Sequence, residues 1–185
     1  MITKERALEI LHEQISNPNL RKHHYAVGAA MRGLAHELGG DPDVWEIIGL
    51  LHDADYERTR DQPEKHTLVI GEVLAEEDVP SDLIRTIQAH NWEYTGIEPE
   101  TSRDWALVSC DDLTGLIVAV ALVYPDGLEG VSVDSVLKKF PSSSFAAGAD
   151  REKIRYCETR LEIPLEEFTR LVLDSMKEET EALGL

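Results

Sequence analysis

Residues 105–118 read WALVSCDDLTGLIV, an apolar run that two adjacent aspartates, Asp111 and Asp112, interrupt. The run lies within a helix predicted over residues 102–123, with Ser102 as its cap. Burying an unpaired carboxylate in such a helix would cost roughly several kcal/mol, and the helix has no cation near this point. A metal ion would compensate the buried charge of Asp111. The alternative is that Asp111 is a buried acid held by a helix cap or by an ion pair. The segment therefore predicts a core helix that carries a charged site.

The rest of the chain has helical apolar spacing almost throughout. Proline, glycine and capping residues bound the predicted helices, which cover residues 3–16, 19–38, 41–56, 63–77, 80–91, 132–139 and 150–160 and a last one from 164. We find no convincing period-two pattern, no internal repeat and no linker rich in Pro, Gly or Ser. These patterns predict an all-α fold, a single-domain helical bundle over residues 1–185.

The composition of the chain limits the kinds of molecule that it can bind. The 185 residues suffice for one ordinary domain, and 36 acidic against 18 basic side chains give a formal charge of −18. Such a field repels polyanions, so we expect no nucleic-acid polymer as a partner, although a bound cation would still admit a small phosphorylated ligand. Two cysteines, Cys110 and Cys157, indicate reduced core thiols. The N-terminus lacks a signal-peptide pattern and residues 105–123 make a poor membrane span, so we expect a cytoplasmic protein without a membrane partner.

Some histidines lie on the apolar face of a predicted helix or directly after an apolar run. His23 lies four residues before Val27 and so shares the core face of the second helix, although a histidine there is more often a locally hydrogen-bonded residue. His52 and Asp53 follow the apolar run 47–51. Adjacent helical residues point about 100° apart, yet a cation near the end of the helix could be reached by both. A histidine favoured there by the helix dipole is an equal alternative to a His-carboxylate ligand pair.

Two further histidines, His66 and His90, lie between this pair and Asp111 along the chain. They occupy the two helices predicted over 63–77 and 80–91, and with His24 they complete the set that could converge. His12 and His36 fall on polar helix surfaces and are predicted to be bystanders.

The order of these residues resembles the signature of the HD superfamily of metal-dependent phosphohydrolases: a His, then His-Asp, then a distant Asp. The resemblance implies that the metal ligands are His23, His52, Asp53 and Asp111. It favours Asp111 over Asp112, because the family's last Asp precedes a Leu by two positions. It covers about residues 20–123, and the tail 124–185 carries no part of the signature.

The resemblance implies an activity: hydrolysis of a small phosphorylated metabolite or nucleotide by a metal-activated water. The cofactor would be one or two divalent ions chosen from Mn, Fe, Zn, Co, Ni and Mg. Asp53, with Glu57 or Asp55 as the proton-relaying acid or base, would be catalytic. Tyr56 occupies one position where hydrolytic branches often have an acid, and this departure puts the usual acid or base in doubt.

Some branches of the superfamily add two histidines and bind a second metal, and His66 and His90 resemble that pair. We expect instead that both contact the substrate phosphate, together with Arg58 and Lys65, because Asp53 alone would have to bridge two ions. Two other functions compete with hydrolysis. One is a di-iron oxygenase of the HD type, and the other is a non-catalytic module that binds metal or ligand.

Overall fold

The computed structural model describes residues 2–184 and confirms an all-α fold, since helices and turns but no strand occur within that range. The helices, in chain order, are α1 Lys4–Gln14, α2 Pro18–Leu38, α3 Pro42–Leu51, α4 Tyr56–Thr59, α5 Leu68–Glu76, α6 Ser81–Ala89, α7 Trp92–Thr95, α8 Ser102–Ala121, α9 Val133–Lys139, α10 Arg151–Arg160, α11 Leu165–Glu178 and α12 Thr180–Leu183. One 3-10 turn, Gly127–Gly130, precedes α9.

Local capping starts most of the long helices. Asn17 and Pro18 begin α2, and the Asp41 carboxylate accepts from the first amides of α3. The cap of α8 differs from the prediction. Thr101 rather than Ser102 is the N-cap, because its hydroxyl accepts from the Asp104 amide while the Asp104 carboxylate accepts from the Thr101 amide.

Helix α2 is the centre of the packing, with α3, α8 and α11 against it, while α10 covers α8 from the other side. One apolar cluster of buried Leu, Ile, Val and Ala side chains runs from Ala7 in α1 to Leu183 in α12. This continuity supports the prediction of one domain. Both cysteines are buried and unpaired.

The segment after α3 departs from the predicted helix 41–56. Helix α3 ends at Leu51, and residues 52–55 form turns before the single turn of α4. Similarly, Pro63 does not start a helix, since α5 begins only at Leu68, after Thr67 in the left-handed conformation with φ 73°. These two turns bring His52, Asp53 and His66 to one end of the bundle.

Gly49 permits the closest contact between α2 and α3. A Cβ at this position would lie 2.6 Å from the Val27 carbonyl oxygen and 2.8 Å from the Gly28 amide nitrogen. We therefore expect Gly49→Ala to lower the free energy of unfolding by about 1–3 kcal/mol, as overpacking does. Urea denaturation measures the change. The matched control is Gly115→Ala in α8, whose Cβ would meet no atom within 4 Å and should not destabilise the chain. Equal stability of the two variants would contradict this account of the crossing.

Candidate metal centre

Three helices and the turn after α3 bring the predicted ligands together. His23 lies in the second turn of α2, His52 caps the C-terminal end of α3, Asp53 follows it, and Asp111 lies in the middle of α8. The His23 Nε2 atom is 2.9 Å from Asp111 Oδ1, and His52 Nε2 is 3.5 Å from the same oxygen. All four side chains predicted as metal ligands thus face one another.

His66 and His90 join the same cluster through Asp53. Their Nε2 atoms lie 3.0 Å and 2.9 Å from Asp53 Oδ1. Ligand atoms therefore group in three overlapping sets: His23, His52 and Asp53; His52, His90 and Asp111; and Asp53, His66 and His90. Neighbouring ligands on one cation, each bound at about 2.1 Å, lie about 3.0 Å apart, which is the spacing seen around Asp53.

In three of the imidazoles, the Nδ1 atom already makes a hydrogen bond outside the cluster of ligand atoms. Nδ1 of His52 donates to the Gly49 carbonyl at 2.7 Å, and Nδ1 of His90 donates to the Ile87 carbonyl at 2.7 Å. Nδ1 of His66 donates to Asp55 Oδ1 at 2.8 Å. A carbonyl or an ionised carboxylate oxygen only accepts, so each Nδ1 carries the hydrogen and each Nε2 is left to bind a proton or a cation. Metal-ligating histidines have this arrangement.

The surroundings of the buried Nε2 atom of His52 show whether a cation fits the cluster. This atom has no hydrogen-bond partner, although the His52 side chain is completely buried. A buried polar atom without a partner is costly, and this one faces two carboxylates. A divalent cation would satisfy it, so the residues present fit a metal.

The comparison with family models agrees with this geometry. The HD domain model matches residues 20–121, more than half of the chain. The chain belongs to the HD domain family. No curated protein and no solved structure gives a significant match. In the described residues no helix is both long and apolar enough to cross a bilayer.

Charges within the HD-domain site perturb its pKa values. Burial lowers the pKa of His52, but the Asp53 and Asp111 carboxylates outweigh it and raise the pKa to about 9. Burial likewise lowers the pKa of His66, and hydrogen bonds to Asp53 and Asp55 raise it to about 10. In turn, burial raises the pKa of Asp53, and the adjacent imidazoles hold it well below its usual range. Without metal, the His52 and His66 imidazoles are therefore protonated at neutral pH and pair with these carboxylates.

Because protons and metal compete for the same Nε2 atoms, we expect metal affinity to rise with pH. Both pKa values lie above neutrality, so at pH 6–8 His52 and His66 must each lose a proton before binding metal. Affinity should increase about tenfold per pH unit for each proton displaced. Calorimetric titration with Mn²⁺ in buffers of different ionisation enthalpy counts these protons. An affinity that does not change from pH 6 to pH 8 would contradict the assignment.

Asp55 was predicted as a proton-relaying acid or base, and its contacts give it a different position. Its side chain is completely buried, Oδ1 accepts from His66 Nδ1 and the Thr67 amide, and Oδ2 accepts from the Ile70 amide. Asp55 thus orients His66 and holds the start of α5, with no oxygen left for a reacting water. Its spacing in the sequence gave no signal of this role, because its partners lie 11–15 residues away.

Glu57, the other predicted acid or base, bonds away from the cluster. Its two oxygens accept from the Asn17 amide and from the amide and hydroxyl of Ser16, before α2. These hydrogen bonds lower the pKa of Glu57. Arg58 and Lys65, predicted to bind phosphate, are exposed and do not line the cavity beside the cluster. The structure therefore does not bring these three residues together with the metal ligands.

Asp112 faces the same cavity as Asp111 but has a different partner. Its Oδ1 accepts from the Asp150 amide at 2.8 Å, which ties α8 to the start of α10. Burial and the Asp111 charge raise the pKa of Asp112 to about 7. His24, also considered as a converging histidine, is buried and donates from Nδ1 to the Leu50 carbonyl. Burial lowers its pKa well below the usual value.

Proposed function

We propose that the chain is a metal-dependent phosphohydrolase that acts on a small phosphorylated substrate. The observation that carries the proposal is the convergence of histidine Nε2 atoms on Asp53 and Asp111, with the Nδ1 atoms of His52, His66 and His90 already bonded. Membership of the HD domain family supports the same chemistry, because its members are generally metal-dependent hydrolases.

We propose two cation positions. His23, His52, Asp53 and Asp111 would hold one ion, and Asp53, His66 and His90 would hold the other. This differs from the expectation that His66 and His90 contact phosphate. The reason is that Asp53 Oδ1 lies within 3.0 Å of both imidazoles, so the Asp53 carboxylate could contribute to both positions. Divalent cations bound here would lower the pKa of a coordinated water and neutralise charge on a phosphate oxygen.

Carbonyl and carboxylate groups of the chain would hold the imidazoles in fixed orientations. The Gly49 and Ile87 carbonyls and the Asp55 carboxylate fix the directions of three imidazoles, so that little reorganisation accompanies binding. In the reaction, water oxygen forms a bond to phosphorus as the bond from phosphorus to the ester oxygen breaks. One water proton goes to the departing alcohol, and the products are an alcohol and inorganic phosphate.

Phosphate release from a panel of phosphorylated metabolites tests the proposal. The purified full chain would be loaded in turn with Mn²⁺, Fe²⁺, Zn²⁺, Co²⁺, Ni²⁺ or Mg²⁺, and bound metal would be measured alongside. We expect at least one metal form to release phosphate, and we expect Asp53→Asn to reduce the rate to background. Metal binding without turnover of any ester would indicate a non-catalytic module. Oxygen consumption by the iron form alone would indicate an oxygenase.

A further inference from the structure

A cavity of about 560 Å³ opens beside the metal cluster. His23, Asp53 and Asp111 form part of its wall, so a phosphate at the cluster would have the remainder of its molecule in this space. The start of α2, the C-terminal half of α8 and the segment 146–149 build the other walls. The tail of the chain, which lies outside the HD signature, thus shapes the space next to the site.

The walls away from the cluster are apolar. They are formed by Leu20, Val118, Ala119, Leu122, Ala146 and Ala149. Tyr56 also lines the cavity, and its ring lies edge-on to that of His66. Both Tyr56 and Leu122 are large apolar residues exposed to solvent, at 40% and 71%. Exposed apolar surface beside a polar centre is typical of a ligand-binding groove.

The charges of the cavity are unsuited to a polyphosphate. Asp53, Asp111 and Asp112 line it, and no Arg or Lys is found among the described residues of its wall. Arg151, at the end of the adjoining loop, is engaged elsewhere. Its guanidinium donates to backbone carbonyls of the loop, those of Phe140, Ser142, Phe145, Ala146 and Ala149. Away from the metal ligands, a second or third phosphate group would therefore meet Asp112 and apolar side chains, with no Arg or Lys on the described wall of this cavity to neutralise it.

A second cavity of about 450 Å³ adjoins the first along α8 and shares His23, Gly115, Val118 and Leu122 with it. Lys22 is the one cationic side chain on its described wall. The apolar side chains of Val118 and Leu122 therefore form a surface common to both cavities beside the cluster, where a carbon chain could lie.

We propose that the substrate is a phosphate monoester of an apolar alcohol, whose carbon chain lies along Val118 and Leu122 while its phosphate meets the metal cluster. This inference rests on the proposed phosphohydrolase function. The products are the free apolar alcohol, which takes the proton from water, and inorganic phosphate.

A series of n-alkyl phosphates from methyl to hexyl tests the substrate class, because their leaving groups have nearly the same basicity. We expect kcat/KM of the metal-loaded full chain to rise about two- to fourfold per methylene, or at least about 30-fold over the series. Alkylphosphonates, whose carbon–phosphorus bond is not hydrolysed, should show the same slope in Kd by calorimetry. This binding measurement does not depend on turnover.

Two valines provide a matched pair of variants. Val118→Asn should flatten both slopes, whereas Val123→Asn should leave them unchanged, since Val123 is 61% exposed and does not line either cavity. Equal turnover of methyl and hexyl phosphate, or a preference for a nucleoside triphosphate, would overturn the substrate class and leave the phosphohydrolase function standing. A slope in phosphonate binding without hydrolysis of any ester would support the ligand class and overturn the function.

Discussion

We expect Asp111→Asn to abolish tight metal binding and Asp112→Asn to retain it. The two substitutions replace a carboxyl group with an amide at adjacent positions of α8, but only the Asp111 carboxylate lies within 2.9–3.5 Å of the Nε2 atoms of His23 and His52. We expect Asp111→Asn to weaken metal affinity by more than about 100-fold, since outer-shell partners alone are worth 10–100-fold. Phosphate release should fall with it.

Asp112→Asn is the matched control because an amide oxygen can still accept the bond from the Asp150 amide. Metal content after dialysis, measured by elemental analysis, and far-ultraviolet circular dichroism distinguish loss of the site from loss of the fold. If both variants retain metal equally, Asp111 is not a ligand.

His66→Ala and His90→Ala are expected to reduce metal content from two ions per chain to one. Each substitution removes one of the three groups that surround the proposed second position, and Asp53 with a single imidazole is too few ligands to hold an ion tightly. Turnover should fall by about 10²-fold or more, as it does on loss of a charge-stabilising group. Stoichiometry by elemental analysis and kcat are the two measurements.

His36→Ala is the control for this pair, since His36 is exposed near the far end of α2. A stoichiometry of one ion in the parent chain that stays at one in both variants, with turnover lost, would contradict the second ion. In that case His66 and His90 would bind the substrate phosphate, as the sequence alone led us to expect.

Helix starts were the most predictable part of the fold. Pro18, Pro42 and Asp150 mark starts that the structure places within a residue or two of the prediction. Capping acts over about three residues, so its signal is complete within a short stretch of sequence. One predicted start and one predicted end were wrong, since α5 begins at Leu68 and not at Pro63. The predicted helix 41–56 ends at Leu51, because the buried Asp55 carboxylate binds the Thr67 and Ile70 amides and the chain turns to reach them.

Some of the predicted ligands stood out in the sequence because they interrupt or end an apolar run, and the resemblance to the HD signature supplied the full set. Asp111 interrupts an apolar helix, and His52-Asp53 ends another. The hydrogen-bond partners of the other candidate site residues could not be predicted from the sequence in this way. Glu57 was considered as an acid or base because the resembled family often has an acid three or four positions after the His-Asp pair, whereas its oxygens bond to Ser16 and Asn17, about 40 residues earlier.

By itself the sequence determined the helical class, because periodicity and capping act within one helix, and the order of its His and Asp motifs resembled the HD family and gave the candidate metal ligands. The tertiary structure decided which ring nitrogen of His52, His66 and His90 is free, and that Asp53 lies between two groups of imidazoles. It also decided that the C-terminal tail forms one wall of an apolar groove beside them. These features depend on hydrogen bonds and contacts between residues tens of positions apart, such as His90 with Asp53 and Asp112 with Asp150. Only the packing of α2, α3, α6 and α8 brings such pairs within reach, and helical periodicity carries no information about it.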